Sequence, residues 1–118
     1  MPAKLLGNWF IPPAAVIAAE GASNCPSPPT AQNCFIQLNL TATEYHVSLM
    51  QSPTGSGNVV VNKDEIDFFN GGNCGLQLPE GVGRYKWTLT SGVLHLARLN
   101  QDPCGRDSVL VNQWRRTA

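Results

Sequence analysis

Short stretches in which apolar and polar residues alternate recur along the whole chain, with turn residues between them. Alternation with a period of two places every second side chain on one face of a β-strand. The pattern predicts strands over Leu5–Phe10, Phe35–Leu40, Tyr45–Met50, Val59–Val61, Glu65–Phe69, Gly83–Thr90, Val93–Leu99 and a last stretch after Ser108–Val111. Eight or nine short antiparallel strands at regular spacing are typical of a sandwich or a closed barrel.

Two segments interrupt this pattern. Pro13–Glu20 predicts one short N-terminal helix, with proline in its first turn and Gly21 just past its end. The helix is apolar nearly all round, so it must lie against something hydrophobic. Gly55–Asn58 predicts a turn before the strand at Val59. Ser91-Gly92 predicts a tight hairpin turn.

Length and composition exclude several classes of protein. A chain of 118 residues fits a single domain, 1–118, and its 42% hydrophobic content argues against disorder. Eight Lys and Arg balance eight Asp and Glu, so bulk charge does not recruit nucleic acid. The longest apolar run, Ala14–Ala19, is far shorter than the roughly 20 residues of a membrane span, and membrane insertion is not expected.

The charges are unevenly distributed along the chain. Residues 1–70 carry a net charge of −3 and residues 71–118 a net charge of +3. The simpler interpretation is attraction between the two halves of one compact domain. The alternative is an anion site in the second half, which requires its arginines to converge.

Four cysteines, Cys25, Cys34, Cys74 and Cys104, allow three disulfide pairings. A Cys25–Cys34 bridge would close a Pro-rich loop, and Cys74 would then pair with Cys104. Free thiols are one alternative. Zinc with His46 and His95 is another, but the chain has no C-x2-4-C pair. Disulfides imply a secreted or cell-surface protein. Met1-Pro2-Ala3-Lys4 is no signal peptide, so we expect a natural leader to have been removed and Met1 added.

The two ends of the chain favour the barrel. Gly7-x-Trp9 lies on the first strand, and Trp114-Arg115-Arg116 follows the last. This arrangement resembles that of the lipocalins (calycin superfamily), in which the indole lies across the barrel floor and a late arginine packs over it. The chain from Gly83-x-Tyr85-x-Trp87 to Asp102-x-Cys104 is also similar to small bacterial lipocalin-like domains, although only Gly105 separates Cys104 from Arg106. The resemblance implies an all-β, antiparallel up-and-down β-barrel of about eight strands.

The resemblance and the alternation together assign roles to individual residues. Trp9 is expected to pack against Arg115 or Arg116, and Asp102 is expected to form a loop salt bridge with Arg106. Inward-facing side chains would line a cavity for a small hydrophobic ligand. These predicted ligand-binding residues are Leu38, Leu40, Tyr45, Val47, Phe68, Tyr85, Trp87 and Leu96.

We therefore expect a monomeric or weakly dimeric binding module that takes a small hydrophobic molecule without a cofactor or metal. His46 and His95 fall on the outward parity, and no Ser-His-Asp arrangement or G-x-S-x-G motif is present, so no catalytic residue is assigned. Two alternatives stay open. A dry barrel could catalyse cyclisation of a polyene by orientation alone, without a cofactor, or a filled barrel could serve as an interaction domain.

Overall fold

The computed structural model describes residues 1–21, 23, 25–50, 52–71 and 80–117. Its eight strands form one antiparallel sheet whose order follows the chain, so each strand pairs with the one before and the one after it. The strands are β1 (Gly7–Ile11), β2 (Ile36–Leu40), β3 (Glu44–Leu49), β4 (Ser52–Asn62), β5 (Glu65–Phe69), β6 (Gly83–Thr90), β7 (Val93–Arg98) and β8 (Gln113–Trp114).

A single bridge between the first and last strands closes the sheet. The amide of Phe10 donates to the carbonyl of Arg115 at 2.6 Å, and the amide of Arg115 donates to the carbonyl of Phe10 at 2.9 Å. This confirms the predicted up-and-down barrel with its short N-terminal helix, α1 (Pro13–Glu20). The structure adds a 3-10 turn at Ala3–Leu5 and a second helix, α2 (Asp107–Leu110).

The topology gives the barrel two different ends. Because consecutive strands are antiparallel, the connections after β1, β3, β5 and β7 all lie at one end, which we call the loop end. The tight turns after β2, β4 and β6 lie at the other, the turn end, together with the residues before β1 and after β8. The loop end therefore carries α1 and α2, and the turn end carries the Gly7-x-Trp9 motif.

The turn predicted at Gly55–Asn58 is wrong, because these residues continue β4 and pair with β3. Gly57 lies opposite Tyr45, and a Cβ there would meet the ring of Tyr45 at 2.8 Å and crowd the carbonyl of Phe69. The glycine thus allows close approach to an aromatic ring rather than a change of direction. The chain instead turns near Met50, whose φ of 53° is left-handed.

The core consists of the inward residues of the strands, and α1 adds little to it. Val16 is the one α1 residue that is fully buried. The helix begins after Pro12, whose carbonyl accepts from Ala15 and Val16, and it ends at Gly21 with φ of 94°. Most of its apolar surface is therefore left at least partly accessible. No helix among the described residues is long and apolar enough to cross a membrane.

A disulfide joins Cys25 to Cys34 and confirms that part of the cysteine prediction. It closes the connection between α1 and β2, in which residues 26–30 are exposed and Cys34 is buried. Cys104 does not carry a free thiol. Cys74, its predicted partner, lies outside the described residues.

Candidate functional site

The eight predicted ligand-binding residues fall into two groups. Six are buried side chains of the barrel core, and these are Leu38, Leu40, Tyr45, Phe68, Tyr85 and Leu96. Val47 and Trp87 are half-buried. The indole of Trp87 donates to the carbonyl of Lys63 at 2.9 Å, and the ammonium of Lys4 lies 5.3 Å from its ring centroid. Trp87 is thus packed towards the turn end.

Three aromatic rings pack edge to face in the interior. The centroids of Tyr45 and Phe68 are 5.0 Å apart, and those of Phe68 and Tyr85 are 5.5 Å apart. Edge-to-face geometry at these distances is favourable for aromatic pairs and leaves no space for a ligand between the rings.

A buried ion pair joins the two tyrosines of this stack to the loop between β7 and α2. Arg106 donates from one terminal nitrogen to Oδ1 of Asp102 at 2.8 Å and from Nε to the hydroxyl of Tyr45 at 3.0 Å. The hydroxyl of Tyr85 donates to Oδ2 of Asp102 at 2.6 Å. The other terminal nitrogen of Arg106 donates to the carbonyl of Gly81 at 3.0 Å. The salt bridge that was predicted in a loop is therefore part of a hydrogen-bonded network in the core.

The protonation of this network follows from its burial and its partners. Burial raises the pKa of the Tyr85 phenol far above its usual range, and the hydrogen bond to Asp102 adds to the shift. Burial alone would lower the pKa of Arg106, but the Tyr45 hydroxyl and the Asp102 carboxylate outweigh it, so that pKa is raised. The phenol stays neutral and the guanidinium stays charged, so neither group is suited to moving a proton near neutral pH.

The turn end is sealed by the motif at the two ends of the chain. The guanidinium carbon of Arg116 lies 3.8 Å from the ring centroid of Trp9. Its terminal nitrogens donate to the carbonyls of Leu6 at 2.7 Å and Lys4 at 2.5 Å. The Trp9 indole in turn donates to the carbonyl of Leu5 at 3.0 Å. The partner of Trp9 is therefore Arg116, and Arg115 points away from it.

One cleft lies outside the barrel, between the start of α1 and the outer face of β7 and β8. Its volume is about 560 Å³, within the range of small-molecule sites. Small apolar side chains form much of its wall, and a few polar side chains complete it. The lining residues are Pro12, Ala14, Ala15, His95, Leu96, Ala97, Val111, Asn112, Gln113 and Arg115. We call this the α1 cleft.

A smaller cleft of about 370 Å³ lies on the β3–β4 hairpin. Its lining is mixed, with Val47, one of the predicted ligand-binding residues, and Pro53 beside the polar side chains of His46, Ser48, Thr54 and Ser56. His46 is exposed, with Nε2 at 3.4 Å from the Glu44 carboxylate. No group of three His, Cys, Asp or Glu side chains within the described part of the chain is placed to hold a metal ion.

Of the predicted ligand-binding residues only Leu96 lines the α1 cleft, and sequence reasoning missed the rest because the other strand residues of the cleft fall on the outward parity. Ala97 and His95 of β7 point away from the core, and Val111 lies in the loop before β8. The signal that could have revealed it was the helix itself. An apolar helix that follows the first strand has to rest against some face of the barrel, but the alternation does not say which face.

Comparison with known proteins gives no match: no family model, curated protein or solved structure is similar to this chain.

Proposed function

We propose that this domain binds a small, largely hydrophobic molecule, and that the ligand lies in the α1 cleft. The observation that carries the proposal is a cleft of about 560 Å³ walled by Ala14, Ala15, Ala97 and Val111, with few polar groups. Binding sites for small molecules are mostly apolar and have a few polar groups that orient the ligand. Val111 is 43% exposed, so a ligand in the cleft would cover apolar surface that water now touches.

The barrel supports such a site as a rigid wall. The ion pair of Asp102 and Arg106 and the aromatic stack that it joins fix the interior, and the loop end is held to that interior. The outer face of β7 and the start of β8 are therefore held in place before any ligand arrives, which lowers the entropic cost of binding. We assign the ligand to the wall because Tyr45, Phe68 and Tyr85 pack edge to face against one another in the interior.

Kinship with lipocalin-like domains and an extracytoplasmic location are part of the same proposal. The first is supported by the stacking of Arg116 on Trp9 across the turn end. The second is supported by the Cys25–Cys34 disulfide, because such bridges persist in oxidising compartments.

The test is a binding titration with the neutral fluorescent probe N-phenyl-1-naphthylamine. We expect saturable binding at one site. Ala97→Trp should weaken the affinity at least tenfold, because Ala97 is exposed on the outer face of β7 and a larger side chain there fills the cleft without entering the core. Ala3→Trp is the matched control, since Ala3 is also exposed but lies at the turn end.

Each result decides between the alternatives. Absence of saturable binding to the wild-type protein would contradict the proposed function. Binding that Ala97→Trp leaves unchanged, while circular dichroism shows a folded barrel, would remove the ligand from the α1 cleft. Loss of affinity in Trp87→Ala with Ala97→Trp unaffected would place the ligand in the barrel instead.

A further inference from the structure

We propose that the ligand of the α1 cleft is an organic carboxylate, an apolar body that carries one anionic head, and that Arg115 binds the head. This inference rests on the proposed function, since it concerns the same cleft.

The charges that line the cleft are of one sign. Its ten lining residues include one arginine and one histidine, and none of them is an Asp or Glu. The chain as a whole has no net charge, so the excess of cationic over acidic side chains is a local property of the cleft lining. A carboxylate there would meet a cation without meeting a competing acidic side chain, whereas a cationic ligand would be repelled.

The side chain of Arg115 has no partner among the described residues, whereas Arg84 lies opposite Asp67 on β5 and lowers the pKa of that carboxyl by its charge. Arg98 pairs with Asp107 at 3.0 Å, Arg106 pairs with Asp102, and Arg116 is held by Trp9 and two carbonyls. Across the described residues, no hydrogen bond, ion pair or ring contact involves the guanidinium of Arg115. All five of its N–H donors are available to a ligand.

The backbone of Arg115, from which the side chain extends, is nevertheless fixed in position. Its amide and its carbonyl both bond to Phe10 in the bridge that closes the barrel, and Trp114 before it is fully buried. The Arg115 side chain must therefore leave on the outer face, where Arg115 lines the cleft. A guanidinium fork on a fixed backbone suits the planar, bidentate geometry of a carboxylate.

Two further polar side chains stand at the same rim. His95 and Gln113 are direct cross-strand partners on β7 and β8, and both line the cleft. Each can donate a hydrogen bond to a carboxylate oxygen that Arg115 leaves unpaired. The apolar wall of Ala14, Ala15 and Ala97 then receives the body of the ligand. The arrangement has one polar rim and one apolar wall, which is the pattern that an amphiphilic monocarboxylate would match.

The test compares two ligands of nearly the same shape, one anionic and one neutral. Isothermal titration measures the Kd of 1-naphthylacetate and of its neutral analogue 1-naphthylacetamide, on the wild-type protein and on Arg115→Gln. We expect the acetate to bind about tenfold more tightly than the amide, and Arg115→Gln to abolish this preference while leaving the amide unchanged. Arg84→Gln is the matched control, because Arg84 is exposed and does not line the cleft.

The outcomes separate this inference from the function on which it rests. If neither compound binds, the proposed function fails. If both bind with equal affinity, or if Arg84→Gln weakens the acetate as much as Arg115→Gln does, the cleft is a ligand site but Arg115 does not select a carboxylate. Retention of the preference in Arg115→Gln would equally overturn the assignment.

Discussion

The hydroxyl of Tyr85 lies 2.6 Å from Oδ2 of Asp102 and donates a hydrogen bond to it, although one residue lies in the barrel core and the other in a loop. Tyr85 is an inward residue of β6, and Asp102 lies in the loop between β7 and α2. Asp102 also accepts from Arg106 and from the amide of Cys104 at 2.9 Å. One carboxylate, 5% exposed, thus connects the core to the loop end.

Removal of this carboxylate should therefore be costly. We expect Asp102→Ala to lower the free energy of unfolding by about 3–5 kcal/mol, because it leaves the guanidinium of Arg106 buried without its counter-ion. Urea denaturation measures the change. Asp107→Ala is the control, since its ion pair with Arg98 is partly exposed and should contribute no more than about 1 kcal/mol. Equal effects in the two variants would contradict a special role for the buried pair.

The same carboxylate requires a glycine on the neighbouring strand. A Cβ at Gly83 would clash with Oδ2 of Asp102, whereas a Cβ at Gly55 would meet nothing within 4 Å. Gly83→Ala should therefore destabilise the protein by about 1–3 kcal/mol, because it forces the carboxylate away from Tyr85 or Arg106. Gly55→Ala should be nearly neutral. Thermal unfolding of the two variants checks the difference, and a stable Gly83→Ala protein would show that Asp102 can shift without loss.

Adjacent arginines offer a test of the turn end. Arg116→Ala should lower the free energy of unfolding by about 1–3 kcal/mol, since it removes the contact with Trp9 and two hydrogen bonds to carbonyls. Arg115→Ala should change it by less than about 0.5 kcal/mol, as for most exposed positions. Chemical denaturation of both variants measures this. The opposite ranking would mean that the side chain of Arg115, not that of Arg116, stabilises the turn end.

The free energy of unfolding should fall as the pH rises from about 4 to about 6, and the cause is the carboxyl group of Asp67. Burial, together with the neighbouring Glu65, raises the pKa of Asp67 from 3.8 to about 6, and its Oδ1 is buried with no hydrogen-bond partner. The native state then holds a proton that the unfolded chain has lost, so the free energy of unfolding decreases across this window. Asp67→Asn should remove this component and raise the Tm at pH 7, with little change at pH 4. Thermal unfolding at pH 4 and pH 7 tests this. If the difference in Tm between the two pH values is the same in Asp67→Asn as in the wild type, the prediction is contradicted.

The barrel was predictable because a period of two fixes which side chains point inward. Leu38, Phe68 and Tyr85 were all assigned inward from the alternation, and all three are buried. The turn at Gly55–Asn58 was predicted wrongly because glycine is common in turns. Glycine serves turns and close approaches equally well, and the ring of Tyr45 that decides between them is distant in sequence.

The candidate site was less predictable, because its contacts also join residues that are distant in sequence. The pairing of Asp102 with Arg106 was predicted as a loop salt bridge, but not that Tyr45 and Tyr85 would complete the network. The α1 cleft depends on where a helix rests against the outside of the sheet. No periodic pattern in the sequence encodes that placement, and the small side chains that leave the gap have no chemistry of their own.

The contact between Arg116 and the carbonyl of Leu6 spans 110 residues of sequence, and it has a consequence for biosynthesis. The strand that closes the barrel is only two residues long and leaves the ribosome after the seven other described strands. At typical rates of translation, the first strand waits roughly 5–20 s for its final neighbour. During that interval the growing sheet has an unpaired edge, which is a hazard for aggregation. Closure of the barrel is therefore a late event, completed only once the chain through Arg116 has emerged.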